Sequence, residues 1–295
     1  MSYSHIPVMI REVLKYLDVK EGKKFVDCTL GGAGYTIALA EQTGVRGKVL
    51  GIDLDRLALD NAQQIIKQKK IKNIVLVQGN FKNLENIVSE NFKEGMKFDG
   101  IVFDLGLSSA QLADETRGFS FKGEHPLDMA FGPDNDKSSA DILNYYSLLE
   151  LTKIFQEYGE EKHGYRIARA IIEARKTKKL ETTVDLVNII EKIIPFRFRS
   201  KIHPATKIFQ ALRMETNEEL SCLESVLPVA VKLLKKGGRI VVVSFHSGED
   251  RIVKRFFKNS SELTILTKRP LIPEEDELTS NPRARSAKFR AAEKN

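Results

Sequence analysis

The stretch that most constrains this chain is Phe25-Val26-Asp27-Cys28-Thr29-Leu30-Gly31-Gly32-Ala33-Gly34. Val26, Cys28 and Leu30 alternate with Asp27 and Thr29, the period of a buried strand. The glycines then break the strand, and 35–41 reads as a helix. Strand, glycine turn and helix together make a nucleotide-type cradle, because backbone without a Cβ lets a ligand come close. A dinucleotide fingerprint requires G-x-G-x-x-G. Gly32 and Gly34 fit it, but Ile37 stands where the third glycine belongs. What is present instead is an acid, Asp27, four residues before Gly31. The next apolar run, Lys48-Val49-Leu50-Gly51-Ile52-Asp53, ends on an acid 19 positions beyond Gly34, placed to accept from ribose hydroxyls. Taken alone, this stretch also fits an ordinary βα turn.

The rest of the chain repeats the alternation. A short amphipathic helix over 8–16 leads into the first strand. A second strand (48–54), a helix (56–69) and a third strand (73–78) follow, the last closing on Gly79-Asn80-Phe81 before a polar helix through 90. A fourth strand over 98–106 carries Asp104 at its carboxyl end. Strands alternating with helices predict parallel pairing, with ligands beyond the carboxyl ends of the strands. Residues 31–35, Asp53, Phe81 and Asp104 should therefore converge on one crevice. From 113 to 213 the alternation stops, and helices are predicted over 139–144, 148–157, 165–176 and 183–194. The pattern then resumes. A long helix over 218–236 should stop at Gly237-Gly238, with Pro228 kinking it or marking a break. A fifth strand (239–246), a helix (249–257) and strands over 263–267 and 287–291 complete the chain. The acidic run Glu274-Glu275-Asp276-Glu277 is expected to be solvated surface. The predicted organisation is 1–112, a helical insert over 113–213 that recognises substrate, and 214–295.

At 295 residues the chain can bury a sizeable core, and no apolar run reaches the length of a membrane span. Residues 1–7 do not have the basic-then-apolar pattern of a signal peptide, so a cytoplasmic location is expected. Cys28 and Cys222 are expected as buried thiols rather than a bridge. A net charge of +7 and a pI near 9.2 favour a polyanionic partner. No Cys/His cluster has zinc spacing, so no metal site is expected.

Distinctive motifs go further. They include His5-Ile6-Pro7-Val8-Met9, Asp104-Leu105-Gly106-Leu107-Ser108-Ser109-Ala110-Gln111-Leu112, Arg117-Gly118-Phe119-Ser120-Phe121 and Pro126-Leu127-Asp128-Met129. Tyr158-Gly159-Glu160-Glu161, the run from His203 to Arg213, Ser244-Phe245-His246-Ser247 and the tail Asn281-Pro282-Arg283-Ala284-Arg285 follow in the same order. The acid-then-glycine turn resembles motif I of S-adenosylmethionine-dependent methyltransferases. The full set closely resembles the bacterial small-subunit ribosomal RNA cytosine-N4 methyltransferases, the family called RsmH and formerly MraW, from residue 5 to about 293. The resemblance implies an α/β fold of the class I S-adenosylmethionine-dependent methyltransferase kind, Rossmann-like, with a seven-stranded sheet whose last strand is antiparallel and an inserted helical domain. It implies S-adenosyl-L-methionine as cofactor, held by Ala33, Gly34, Tyr35, Asp53, Phe81, Asp104 and Gln111. As partner it implies 16S rRNA within the small ribosomal subunit, with no membrane and with a homodimer left open. Tyr35 departs from a usual His, Ala110 from Pro, Ala130 from Arg and Gly248 from Leu; Glu124-His125 replaces a usual Asp-Gly.

Methyl transfer from a sulfonium is an in-line displacement, so positioning is the main catalytic resource. Asp104 is the catalytic candidate: it can orient the cofactor, or accept from the target amine and stabilise it as it pyramidalises. Asp53 can equally cap the helix after it, and Phe81 can face adenine or fill core. Asp128 and His246 are further polar candidates, the histidine as easily a support of the fold. Basic clusters at Arg166, Arg169, Arg175, Lys176, Lys178 and Lys179, at Arg197, Arg199, Lys201 and Lys207, and at Arg283, Arg285, Lys288 and Arg290 suggest a phosphate track. Phe119, Phe121, Phe196 and Phe198 offer stacking surface for an unstacked base, or core. Two other readings stay open: an amino-methyltransferase acting on DNA, and an RNA-binding assembly factor with a vestigial cofactor site.

Overall fold

The computed structural model describes residues 7–107, 114–132, 135–194 and 203–295. The chain divides into two compact units, Met1–Ala110 with Leu220–Asn295, and Gln111–Glu219.

The first unit begins with α1 (Ile10–Tyr16), β1 (Lys24–Asp27), α2 (Gly34–Thr43), β2 (Lys48–Asp53), α3 (Arg56–Lys69), β3 (Ile74–Gln78), α4 (Leu84–Asn91) and β4 (Phe98–Asp104). Asp55 starts α3, its carboxylate accepting from Leu57 N at 3.0 Å. The second unit holds α5 (Ser139–Tyr145), α6 (Leu148–Glu157), α7 (Gly164–Arg175), α8 (Thr183–Ile193) and α9 (Ala205–Thr216). Three of these helices open on capping boxes, Ser138 with Asp141, Ser147 with Glu150 and Thr182 with Asp185, which explains their sharp starts. The buried stripes of Leu151, Ile154 and Phe155 on α6, of Ile167 and Ile171 on α7, and of Leu186 and Ile190 on α8 form this unit's interior. The first unit then resumes with α10 (Glu219–Leu233), β5 (Leu234–Ser244), α11 (Ser247–Asn259), β6 (Leu263–Ile265), α12 (Glu275–Ser280) and β7 (Lys288–Lys294).

The sheet order is β3-β2-β1-β4-β5-β7-β6. β1 to β5 run parallel, and β7 lies antiparallel between β5 and β6. Successive side chains fall on opposite faces, which is why the strands are apolar throughout. Phe25, Val102, Val241 and Val243 pack with Val13, Leu17 and Leu39 on one face. Val26, Ile101, Phe103, Ile240 and Val242 pack with Leu84, Val226 and Leu227 on the other. Sheet growth reverses between β1 and β4, and their carboxyl ends mark the switch point where such folds bind ligands.

Three expectations are corrected. The helix before β5 ends at Leu233, not at the glycines; Gly237 and Gly238 lie within β5, where the register with β4 shifts between Phe98 and Gly100. Pro228 does not break α10, because it sits on the exposed face where water can serve the carbonyl left without its N–H. The acidic run is not all solvated: Glu277 on α12 accepts the Met9 N–H at 2.6 Å. Cys28 and Cys222 are both buried thiols outside any disulfide. No helix among the described residues is long and apolar enough to cross a membrane.

Candidate cofactor and catalytic site

Acids stand at the carboxyl ends of β1, β2 and β4 of the first unit, and each is held differently. Asp27 is fully buried; its carboxylate accepts from Thr29 N at 3.2 Å and from Thr36 Oγ1 at 2.7 Å. It thereby ties the start of the glycine turn to the first turn of α2. Burial pushes it up to about 6 against those two hydrogen bonds. Within the turn, Ala33 takes a left-handed conformation, φ 64°, as the N-cap of α2. The Gly34 position is bare for an intramolecular reason: a Cβ there would come within 2.7 Å of Pro7 Cγ. What approaches Gly34 is the ring of Pro7 in the N-terminal segment, a neighbour 27 positions away that local pattern cannot reveal.

Asp53 does not cap α3, which is the task of Asp55. Its Oδ2 accepts from Gly31 N at 2.8 Å and its Oδ1 from Asp55 N at 2.8 Å, so it pins the glycine turn to β2. Each oxygen keeps a lone pair, and the residue is partly accessible. Burial pushes Asp53 up to about 6. Phe81 opens a short 3-10 turn after β3, half-buried, with its ring edge-on to Phe103 at 5.8 Å. One side of it therefore belongs to the core.

Asp104 is the least satisfied of the set. Its backbone N–H donates to Thr29 Oγ1 at 2.6 Å, fixing the strand end. Its Oδ1 is shielded from solvent and has no hydrogen-bond partner among the described residues. Burial, then the charges of Asp27 and Glu249, raise its carboxyl well above the usual range. The buried Tyr35 hydroxyl lies against it and donates to the Val8 carbonyl. A buried carboxyl oxygen without a donor is an acceptor that a cationic or N–H-bearing ligand would satisfy. These acceptors thus fit a nucleoside cofactor with a positive charge. Gln111, the remaining predicted contact, lies outside the described residues, as do Ser108, Ser109, Ala110 and Ala113.

His246 is the N-cap of α11: its Nδ1 accepts from Glu249 N at 3.4 Å, and the Glu249 carboxylate accepts from Phe245 N at 2.8 Å. That is the fold-supporting role. In the second unit Asp128 accepts from the Ala130 N–H, and burial raises it. Phe119 is buried against Phe131, and Phe121 stacks on His203 at 4.8 Å, so both are packed rather than open stacking surface. Phe196, Phe198, Arg197, Arg199 and Lys201 lie outside the described residues.

The basic clusters hold both packed and exposed members. Arg290 is corrected: it is 6 % exposed and makes paired hydrogen bonds to Asp250 at 2.6 and 3.2 Å. Arg175 donates to the Leu143 carbonyl at 2.7 Å, Lys178 pairs with Asp185 at 2.9 Å, and Lys207 donates to the Glu160 carbonyl at 2.9 Å. Lys176 pairs with Glu173 at 2.8 Å, Lys179 donates to Tyr145 Oη at 3.1 Å, and Lys288 stands 3.9 Å from Asp250. Arg166, Arg169, Arg283 and Arg285 are exposed.

A mixed α/β sheet, parallel over β1 to β5, with a glycine turn after β1 and acids at the ends of β1, β2 and β4 defines a Rossmann-like domain for a nucleoside-containing cofactor. The sequence profile of the MraW methylase family matches residues 2–295, and the chain belongs to that family. It is 41% identical over 313 residues to a ribosomal RNA small subunit methyltransferase H of Carboxydothermus hydrogenoformans, spanning 100% of this chain and 99% of that one. The protein of the same name in Deinococcus radiodurans is 46% identical over 294 residues, spanning 99% and 90%. A solved rRNA methylase of Streptococcus thermophilus aligns over 99% of both chains at 12% identity, with a TM-score of 0.48.

Proposed function

We propose that this protein is a cytoplasmic S-adenosylmethionine-dependent methyltransferase that modifies the N4 amine of a specific cytidine in the 16S rRNA of the small ribosomal subunit. The observation that carries this reading is end-to-end membership of the MraW methylase family, with relatives at 41% and 46% identity named for small-subunit rRNA methylation. The site chemistry agrees. S-adenosylmethionine supplies an electrophilic methyl group on a positively charged sulfur. Ala33, Gly34 and Tyr35 form the turn against it, Asp53 accepts from its ribose, Phe81 lies along its base, and Gln111 completes the set. Asp104 accepts from the target amine N–H and takes up the proton that nitrogen sheds as it is methylated. A cytosine amine is a weak nucleophile, so an acceptor that holds it while it pyramidalises lowers the barrier. The helical unit, Gln111–Glu219, acts on RNA through exposed arginines such as Arg166 and Arg169.

The deciding experiment is mass spectrometry of rRNA nucleosides after incubation with labelled cofactor. Small subunits lacking the modification should gain one labelled N4-methylcytidine, and protein-free rRNA or a short oligonucleotide of the same sequence far less. A target buried in folded RNA must be unstacked, and a large helical unit suits a shaped surface better than a short sequence. Label on duplex DNA, or on no nucleic acid, would overturn the reading. Equal rates on oligonucleotide and particle would remove the shape recognition alone.

A further inference from the structure

Most acids around the carboxyl end of the sheet have their charge answered by donors; among the described residues, Asp104 Oδ1 does not. Asp27 accepts from Thr29 N and Thr36 Oγ1. Asp53 accepts from Gly31 N and Asp55 N. Glu249 accepts from Phe245 N at 2.8 Å and His246 N at 3.3 Å, with His246 Nε2 standing 3.1 Å from its Oε1. Among the described residues Asp104 has the Tyr35 hydroxyl against its carboxyl, and its Oδ1 has no partner there.

A phenol has one proton. Tyr35 donates it to the Val8 carbonyl, which lies ahead of the α1 ladder and can only accept. What Tyr35 turns toward Asp104 is therefore lone pairs. An ionised Asp104 would be repelled by them, whereas a neutral carboxyl donates its own proton to them. The charged groups facing Asp104 make ionisation worse: they are Asp27 at the end of β1 and Glu249 on α11, and no cation faces it among the described residues. Burial and those two acids hold Asp104 well above the usual carboxylate range. Burial, Asp104, Asp27 and Glu277 hold the Tyr35 phenol protonated.

We propose that Asp104 in the free protein is a neutral carboxylic acid donating to Tyr35 Oη, and that it surrenders this proton to solvent when a cationic cofactor reaches the strand ends. The second half rests on the reading of S-adenosylmethionine as cofactor. One positive charge enters and one proton leaves, so the buried site keeps its charge balance. The carboxylate that accepts from the target amine then exists only in the loaded protein, and the proton acceptor is withheld until the methyl donor is in place. Tyr35 is the positioning residue of this chain: it presents the acceptor that keeps the resting proton on Asp104.

Two measurements on the full chain test this. Infrared spectroscopy of the free protein at neutral pH should show the carbonyl stretch of a protonated carboxylic acid that is missing in Asp104→Asn. In Tyr35→Phe the same band should shift as its hydrogen bond is lost. Calorimetry of S-adenosylmethionine binding in buffers of different ionisation enthalpy should show about one proton released per cofactor, and close to none in Asp104→Asn. Absence of the acid band in wild type, or binding with no buffer dependence, overturns the proposal. No binding heat in any buffer refutes the cofactor reading instead, and the infrared arm then still decides where the resting proton lies. Should Asp104→Asn fail to fold, a Tyr35→Phe band unmoved from wild type counts against the proposal.

Discussion

Replacing Asp27 by Asn measures what a buried charge at the glycine turn costs this fold. Asp27 is fully buried, and desolvation lifts it from 3.8 to about 6 despite its hydrogen bonds to Thr36 and Thr29. The folded protein thus binds this proton more tightly than the unfolded chain does. Stability from the protonated form is complete below about pH 4 and is lost as pH rises through about 6. A shift of that size is worth about 3 kcal/mol by about pH 8, of which roughly half is already lost at about pH 5. Asparagine is neutral throughout and keeps the Thr36 hydroxyl as a donor, but its amide meets the Thr29 N–H, costing about 1 kcal/mol. Asp27→Asn should therefore match wild type at about pH 5 and exceed it by about 1–2 kcal/mol at about pH 8. Urea unfolding of both proteins at the two pH values reads the difference. Asp53 and Asp104 drift with the same sign in both proteins; the part of their rise that the Asp27 charge supplies is lost in the variant and adds to its advantage at high pH. If the two proteins lose stability in parallel as pH rises, Asp27 is not charged at a cost to the fold.

Asp53→Ala frees the Gly31 N–H and removes an acceptor, and should weaken S-adenosylmethionine binding by roughly 1–3 kcal/mol in calorimetry. Arg290→Met leaves Asp250 with the more distant Lys288 and should cost about 3 kcal/mol in urea unfolding while leaving RNA affinity unchanged, which separates it from the rest of the basic tail. Charge reversal at Arg166 and Arg169 should lower RNA affinity and flatten its dependence on the logarithm of salt by about 2, the value for two lost phosphate contacts. An unchanged slope would make that face ordinary solvated surface.

Local pattern was enough for some elements and not for others. The helix over 56–69 carried its own cap in Asp55, and the helix over 148–157 its capping box, so both ranges were readable residue by residue. The acids at the strand ends were readable because strand period and βα alternation leave few places for them. Their partners were not. Gly31 N reaching Asp53, Pro7 covering Gly34, His203 stacking on Phe121 and Asp250 pairing with Arg290 all join residues far apart in the chain. A basic residue in a cluster looks the same in sequence whether it faces water or a buried carboxylate. The glycines after α10 misled for a related reason: a helix stop and a strand bulge use the same residue, and pairing with β4 decides between them.

The place of β7 between β5 and β6 has a consequence for how the chain folds as it is made. β6 is synthesised first, yet among the described residues its partner in the sheet is β7. β5 likewise offers an open edge until Lys288–Lys294 arrives to pair with it over Arg239–Ser244. During synthesis the sheet can therefore grow only as far as β5, with an apolar edge exposed and β6 undocked. A nascent chain halted before residue 288 should be captured by chaperones that bind exposed strands, and addition of the last strand should close the edge and dock β6 in one step.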